Sequence, residues 1–444
     1  MTAPETSTEP AKPSGSGSGD GADEEDLNSF MARLTRDLGR SHVLVVVLAF
    51  VFAFLIGSVL VIVSDAEVRA SAGYFFARPG DTIVAALVAV RDAYYAMFRG
   101  AVFDPLAFSR RAESLRAAGG SGTYVFFPAL AIGLRPLTET LTVASPLIIA
   151  SAGIAVGFRA GLFNIGGMGQ LIAGAVSAGV VGFAIDLPVV IHLLACLAAG
   201  ILGGAIWGGI AGALKALFGA NEVISTIMLN WIAYYGLQFA LKTDFFNGGR
   251  DQPTSLSVTS NAELPLLLGP QFRLHAGIIV AALAIVFMWW LMSRSTLGFR
   301  FRAVGSNPRA AQVAGISVGM SSFGVLLIGG ALVGLGGAVQ VLGTEHHLTG
   351  GIAGNVGFDA ITVALLGRSS PVGVALAGLL FAGLSTGGRF MDPTAQVPAE
   401  LAAIIQSLVV LFIAAPALVR QMAFLQRRTK SGRRKSTEPK REPA

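Results

Sequence analysis

The chain has 444 residues, of which 53% are hydrophobic and 13% are charged, and its mean hydropathy is +0.67. A soluble domain carries about 25% charged residues, so this composition excludes an ordinary soluble protein and indicates one that lies in a bilayer. The single cysteine, Cys196, excludes a disulfide framework and falls within an apolar run, where we expect a buried thiol.

The two ends of the chain differ in charge. Residues 1–42 form an acidic tail rich in Pro, Gly and Ser and end in a basic flank; the tail has no apolar core, which predicts disorder and not a secretory signal. Residues 419–444 form a basic tail that supplies much of the formal net charge of +6. Such a tail can bind nucleic acid, but basic residues directly after a span more often hold that end in the cytoplasm. We therefore expect no nucleic-acid partner.

Ten apolar segments are candidates for transmembrane helices, because about 20 apolar residues cross the hydrocarbon core. The eighth is too short and too rich in Gly for an ordinary span. Ten crossings put both termini on one side, and Lys and Arg in the short loops place that side in the cytoplasm. The segments lie near 43–64, 137–157, 167–185, 191–213, 223–242, 275–293, 319–343, 357–368, 372–389 and 398–418.

Two stretches outside the spans are long. Residues 65–136 form an external amphipathic insertion, in which "DTIVAALVAVRDAYYAMF" has apolar residues at helical spacing. This helix either lies along the membrane surface or packs within the external loop. Residues 243–274 are polar and rich in turn formers, so we expect an exposed loop.

The segment "AGLFNIGGMGQ" (160–170) separates the second and third spans. Each of its glycines weakens a helix by about 1 kcal/mol relative to Ala. Non-helical backbone at membrane depth persists only if it is buried in protein or lines a watery cavity, where Asn164 and Gln170 could form hydrogen bonds. The residues alone leave open a short cytoplasmic turn or an interrupted helix.

A second Gly-rich interrupted segment, "GNVGFDAITVALLG" (354–367), lies in the other half of the chain. Paired interruptions in two halves indicate a transport site and a possible internal repeat, although Gly- and Ala-rich helices also resemble one another by chance. Its Asp359 is a functional candidate, because a charge at a helix centre costs at least about 2.5–3.5 kcal/mol. A position near the outer end of the span would leave Asp359 solvated.

Two further polar groups are candidates for function. Asn230, next to Trp231 in "NEVISTIMLNWIA", either bonds to another helix or contacts a solute. His346 and His347 adjoin Glu345, but adjacent histidines on one loop without other ligands are weak evidence for a metal, and we predict none.

The segment "RAVGSNPRAAQVAGI" (302–316) lies between the sixth and seventh spans and contains signals for a short helix. Ser306 or Asn307 can cap it, Pro308 suits its first turn, and Gly315 suits its end. A short exposed helix with small side chains fits a groove on a partner protein. The alternative is an ordinary basic loop.

Several expected signatures of other functions are missing from the sequence. No "GK" dipeptide occurs, which excludes a Walker A loop for ATP. Acidic residues are sparse within the spans, which disfavours a relay of carboxylates for protons or sodium. We find no HExxH motif, and we predict that the chain is not an enzyme.

The motifs "GLFNIGGMGQ", "NEVISTIMLNWIA", "RAVGSNPRAAQVAGI" and "GFDAITVALLG" together resemble the permease subunits of bacterial ABC importers. The resemblance is to the nucleoside and simple-sugar branch, related to the branched-chain amino acid permeases, and covers roughly 135–418. It implies an all-α polytopic membrane protein whose permease core is 137–418. Many relatives carry an acidic residue where this chain has Met168, which puts any role for a charge there in doubt.

The resemblance also implies partners: a second permease subunit (as a homodimer or a heterodimer), an ATP-binding subunit, an extracellular solute-binding lipoprotein and membrane lipids. ATP and Mg²⁺ would bind the ATP-binding subunit, with no cofactor on this chain. The amide, aromatic and carboxyl side chains that could line the solute pathway are Phe163, Asn164, Gln170, Asn230, Trp231 and Asp359. The residues expected to couple to the ATPase are Arg302, Ala303, Gly305, Asn307, Ala310, Ala311 and Gly315.

We therefore predict a permease subunit that moves a nucleoside, or a simple sugar, across the bacterial cytoplasmic membrane. ATP hydrolysis on a separate subunit would drive this transport. The alternatives are a secondary transporter of a small polar solute that works alone, and a membrane enzyme or scaffold.

Overall fold

The computed structural model describes residues 42–395 and 397–414. Most of these residues are helical, and they form no β-sheet. The predictions for the acidic and basic tails lie outside the described residues. Seven of the described helices are long and apolar enough to cross a membrane. They are Val47–Ser64, Arg135–Arg159, Gly167–Ala184, Val189–Phe218, Gly277–Arg294, Val318–Glu345 and Pro371–Ala395.

Each of the ten predicted spans corresponds to a helix, and the eighth is short, as expected. The helices are α1 (His42–Ser64), α2 (Ala66–Ala72), α3 (Pro79–Ala101), α4 (Pro105–Ala117), α5 (Thr123–Gly133), α6 (Arg135–Arg159), α7 (Gly167–Ala184), α8 (Val189–Phe218), α9 (Glu222–Ala240), α10 (Asp244–Asn247), α11 (Gly277–Arg294), α12 (Thr296–Ser306), α13 (Pro308–Val313), α14 (Val318–Gln340), α15 (Val356–Leu366), α16 (Pro371–Ala395) and α17 (Ala399–Ala414). A π-helical turn, Val341–Glu345, extends α14.

Close backbone packing holds the centre of the bundle together. Helix α14 packs against α6, α7 and α8. A Cβ atom on Gly334 of α14 would lie 2.6 Å from the Cα of Gly204 on α8, and one on Gly174 of α7 would clash with the Gly334 carbonyl oxygen. Glycine is therefore required at these crossings, because any side chain would push the helices apart. This is the small-residue packing that membrane helices use.

The insertion is fastened to the core and does not stand apart from it. Gly100 of α3 lies against Phe390 of α16, and the second half of α3 buries its alanines in a cluster with Met391. The backbone amide of Asp104 donates to the Gly133 carbonyl at 2.8 Å, which closes a hairpin formed by α4 and α5. Helix α3 thus packs on α16 with its second half, whereas Ile83, Val84 and Leu87 in its first half are exposed, so the choice between its two interpretations stays a prediction.

The stretch 243–274 was expected to be exposed, and for part of it this was wrong. Its backbone amides donate to the segment after α14: Ser255 to Leu348, Val258 to His346 and Leu264 to Leu342, each at 2.9 Å. These bonds hold the stretch against the bundle, and Ser255, Val258 and Leu264 are therefore buried. We call this end of the bundle the long-loop end. The opposite end, with Arg159, α12, α13 and the turn 367–370, is the basic end.

Candidate functional site

The first interrupted segment, residues 160–166, joins α6 to α7 without helical structure. Gly161 has φ +71°, a backbone conformation that favours glycine. Asn164 and the neighbouring Gln170 are each only 1% exposed. Apart from Gly161 and Phe163, which are exposed, the segment is therefore non-helical backbone covered by protein, which is one of the two conditions for an interruption at membrane depth.

Two amide side chains, those of Asn164 and Asn230, bond to this irregular backbone, and a third, that of Gln170, holds Asn164. The Asn164 Oδ1 accepts from the Gly166 amide at 2.9 Å, and its Nδ2 donates to Gln170 Oε1 at 3.1 Å. Asn230 of α9 accepts from the Gly169 amide at 2.8 Å and donates to the Ile165 carbonyl at 2.9 Å. We call Asn164, Gln170 and Asn230 the amide network. Within the described residues, Asn230 bonds to a neighbouring segment, the first of the two interpretations of this residue.

The two aromatic residues of the predicted pathway lie elsewhere. Phe163 and Trp231 are each about half-exposed, whereas the amide network is buried. The Phe163 ring lies 4.9 Å from that of Phe158, and the Trp231 ring stacks at 5.9 Å on Tyr235. Both rings thus present surface on the outside of this subunit.

The two interrupted segments touch each other. A Cβ atom on Gly167, at the start of α7, would lie 2.7 Å from the Gly357 carbonyl oxygen at the start of α15. At the basic end, Arg159 Nε donates to the carbonyl of Ser369, in the turn after α15, at 2.7 Å. A movement of one segment must therefore displace the other. The internal repeat itself stays a prediction.

A cavity of about 1050 Å³ opens at the long-loop end. Of the six residues predicted for the solute pathway, Asp359 lines it, and the other five are not among its lining residues. Residues from the insertion, α6, the π-helical turn, α15, α16 and α17 surround it. The polar lining side chains include Asp104, Arg135, Glu139, Thr142, Arg273, Gln340, Thr344, Glu345, Asn355, Asp359, Ser385, Thr386, Arg389, Gln406 and Ser407.

The insertion contributes a buried ion pair to the cavity wall. Arg99 Nε donates to Asp104 Oδ1 at 2.9 Å. Burial by itself would raise the pKa of the Asp104 carboxyl, but the bonds from Arg99 and from the amides of Ala107 and Leu106 outweigh it and lower the pKa below its ordinary value. Asp104 is therefore an ionised, already paired group at neutral pH.

The basic end carries the predicted short helix. Asn307 caps α13, with its Oδ1 accepting from the Ala310 amide at 3.1 Å, and Gly315 follows with φ +79°. Of the two proposed caps, Asn307 is therefore the one used, whereas Ser306 ends α12. Ala311 is buried, and Val313 is 91% exposed. The prediction of a short, exposed helix at 308–313 is confirmed.

Helix α12 connects this surface to the first interrupted segment. Of the residues predicted to couple to an ATPase, Arg302, Ala303 and Gly305 lie on α12. A Cβ atom on Gly305 would lie 2.7 Å from both the Ala160 carbonyl carbon and the Arg159 carbonyl oxygen. Gly305 is thus a backbone contact between two elements, while Val313 of α13 and Phe299 of α12 are exposed.

Comparison with known proteins assigns these elements to one family. The model of the family described as "Branched-chain amino acid transport system / permease component" matches residues 137–414. The chain belongs to this family. Its family membership and its seven apolar helices make it a multi-pass membrane protein.

Several relatives in this permease family are named transporters. The chain is 41% identical over 285 residues to the guanosine ABC transporter permease protein NupP of Bacillus subtilis, covering 64% of this chain and 82% of the relative. It is 39% identical over 286 residues to the glucose ABC transporter permease protein TsgB13 of Haloferax volcanii, covering 62% and 75%. It is 36% identical over 299 residues to the nucleoside ABC transporter permease protein NupB of Lactococcus lactis, covering 65% and 81%. No solved structure matches the chain.

The match to the permease family includes both interrupted segments and α12 and α13, and it begins after the insertion. Sequence reasoning missed most of the cavity. Glu139 and Gln340 are polar side chains near the ends of predicted apolar runs, and this position was a signal in the sequence for the cavity.

The histidine pair lies at the long-loop end, where His346 Nδ1 is 3.9 Å from Glu263 Oε1. No group of three metal-ligating residues occurs in the described part of the chain.

Proposed function

We propose that this chain is the permease subunit of an ABC importer that moves a nucleoside or a simple sugar into the cell. The family match over 137–414 carries this proposal, since nucleoside and glucose permeases are among the relatives. The polar cavity supports it, because a hydrophilic solute needs such a chamber at one end of an apolar bundle.

The basic end would face the cytoplasm of a bacterial cell, with both termini on that side. The exposed helix α13 would dock in a groove of an ATP-binding subunit, which would hold ATP and Mg²⁺, while this chain itself carries no cofactor. A second permease subunit, identical or related, would complete the pathway. An extracellular solute-binding lipoprotein would deliver solute to the cavity at the long-loop end.

Transport in this scheme is a shift between outward-open and inward-open populations. Movement of α13 and α12 would reach the first interrupted segment through Gly305 and Ala160, which are in contact. Gly167, which directly follows that segment, touches Gly357 in the other interruption, two residues before Asp359. In the inward-open state the solute would meet the amide network, and Phe163 and Trp231 would stack on its ring once the movement brings them from the outside of the subunit to the pathway.

Substitution of Val313 by Asp tests the docking surface. Because Val313 is 91% exposed, we expect the variant to fold normally. A charge in an apolar docking contact typically costs several kcal/mol, so ATP-driven uptake should fall at least about tenfold. The measurement is solute uptake by cells whose chromosomal copy carries the variant, together with the amount of protein in the membrane.

Phe76→Asp is the matched control, because Phe76 is fully exposed in the turn before α3 and lies far from α13 in the sequence. It should leave uptake at the wild-type rate. Normal uptake by Val313→Asp would remove α13 from the docking surface, and uptake that survives ATP depletion would favour a secondary transporter. Gly305 is a poorer site for this test, since any side chain there would collide with Ala160.

A further inference from the structure

The cavity contains one carboxyl group that has no partner among the described residues. Three of its four carboxyls have partners within the chain: Asp104 binds Arg99 at 2.9 Å, and Glu139 binds Arg273 at 3.4 Å. The third, on Glu345, accepts from the side-chain amide of Gln340. No side chain or amide of residues 42–395 and 397–414 donates to the carboxyl of Asp359. This group is therefore the acceptor that the cavity leaves available.

Neutral polar side chains stand around the carboxyls of the cavity; one of them, Gln340, has its Nε2 3.4 Å from Glu345 Oε1. Gln340, Thr344 and Asn355 line the same cavity as Asp359, and each offers groups that both donate and accept. Asn355 directly precedes α15 and its backbone carbonyl accepts from the Asp359 amide at 2.8 Å, which places the two at the start of one helix. These neutral hydrogen-bonding groups thus share the cavity wall with Asp359 and with three arginines, Arg135, Arg273 and Arg389.

Flat aromatic surface is scarce in this cavity. Phe381 and Phe390 are the two aromatic residues among its described lining residues. Phe381 is 2% exposed, and the Phe390 ring is covered by the Arg99 guanidinium, 5.7 Å from its centroid. The Phe381 ring is therefore closed to a nucleobase, and one face of the Phe390 ring is already occupied by a cation. The cavity is suited to hydroxyl groups more than to a base.

We propose that the cavity recognises a vicinal diol, with the two oxygens of Asp359 accepting from two adjacent hydroxyls of the solute. A carboxylate has two acceptor oxygens at a spacing that suits paired donors, and hydrogen bonds to a charged group are stronger than neutral ones. The diol belongs to the ribose of a nucleoside or to the ring of a free sugar. This inference rests on the proposed function and assigns the chemistry that the two solute classes share.

The test compares diol and deoxy solutes in wild type and Asp359→Asn. The probes are radiolabelled guanosine, its 2′,3′-dideoxy analogue, glucose and 3-deoxyglucose, taken up by cells whose chromosomal copy carries each variant. Because the delivering partners are the same in all strains, a change in the diol-to-deoxy ratio reports on this chain. We expect the ratio for the transported class to fall at least about tenfold in Asp359→Asn.

Asp186→Asn is the control, since Asp186 accepts from Asn261 at 3.0 Å outside the cavity lining and should leave the ratio unchanged. The guanosine and glucose arms tell which class supplies the diol. A wild-type ratio in a membrane-inserted Asp359→Asn variant would overturn the diol assignment, while ATP-dependent uptake in that strain would leave the proposed function standing. Absence of ATP-dependent uptake of all four probes in wild type would overturn the proposed function and this inference with it.

Discussion

Alanine in place of Gly204 is expected to destabilise the bundle severely. A Cβ atom there would clash with the Gly330 carbonyl oxygen and lie 2.5 Å from the Gly334 Cα, so α8 and α14 must separate. Overpacking of this kind costs about 1–3 kcal/mol, and the upper part of that range applies because the obstacle is helical backbone, which has no rotamer to change. The measurement is the thermal unfolding midpoint of the purified protein in detergent, together with its amount in the membrane.

Gly209→Ala is the matched control on the same helix. A Cβ atom on Gly209 would meet only Leu327 Cδ1 at 3.6 Å and Phe323 Cε2 at 3.7 Å, which are ordinary contacts. Both substitutions gain the same helix propensity, about 1 kcal/mol, so the difference between them isolates the packing. Equal unfolding midpoints for the two variants would contradict the close approach of α8 and α14.

Leucine in place of Asn230 is the second change with a large expected effect. It keeps the branched shape of the side chain, with bulkier methyl groups, but leaves the Gly169 amide and the Ile165 carbonyl without partners. An unsatisfied buried polar group costs about 1–3 kcal/mol, so we expect a loss of about 2–6 kcal/mol and a markedly lower unfolding midpoint. The same detergent assay measures it.

Trp231→Leu is the control, because this neighbouring side chain is half-exposed and forms no bond to the amide network among the described residues. It should lower the midpoint much less than Asn230→Leu. An Asn230→Leu variant as stable as wild type would show that the interrupted segment does not depend on this amide. Uptake assays on both variants then separate structure from transport, since a stable Trp231→Leu variant with reduced uptake would support ring stacking on the solute.

Loss of uptake alone is a poor guide to solute contact in the amide network. Asn164 and Gln170 bond to each other, and Asn164 and Asn230 bond to the backbone of 165–169, so their removal disturbs the fold before any solute arrives. Asp359 differs, because it lines the cavity and its carboxyl has no donor in the described part of the chain. A substitution there can change solute preference at unchanged stability.

The sequence by itself determined the class of protein, the positions of the helices and the family. Apolar runs, caps and helix breakers act over a few residues, which is why the ten spans and the Asn307–Pro308 start of α13 could be read directly. The buried interruption at 160–166 was one of two open interpretations, since glycines weaken a turn of helix whether or not protein covers it.

Only the tertiary structure decided which polar groups meet. Asn230 bonds to Gly169, 61 residues away in sequence, and Arg273 pairs with Glu139, 134 residues away. No local pattern encodes such a pairing, because it depends on how glycine crossings such as Gly204 with Gly334 set the distances between helices. The amide network and the cavity around Asp359 are therefore products of helix packing, whereas the helices that form them are products of local sequence.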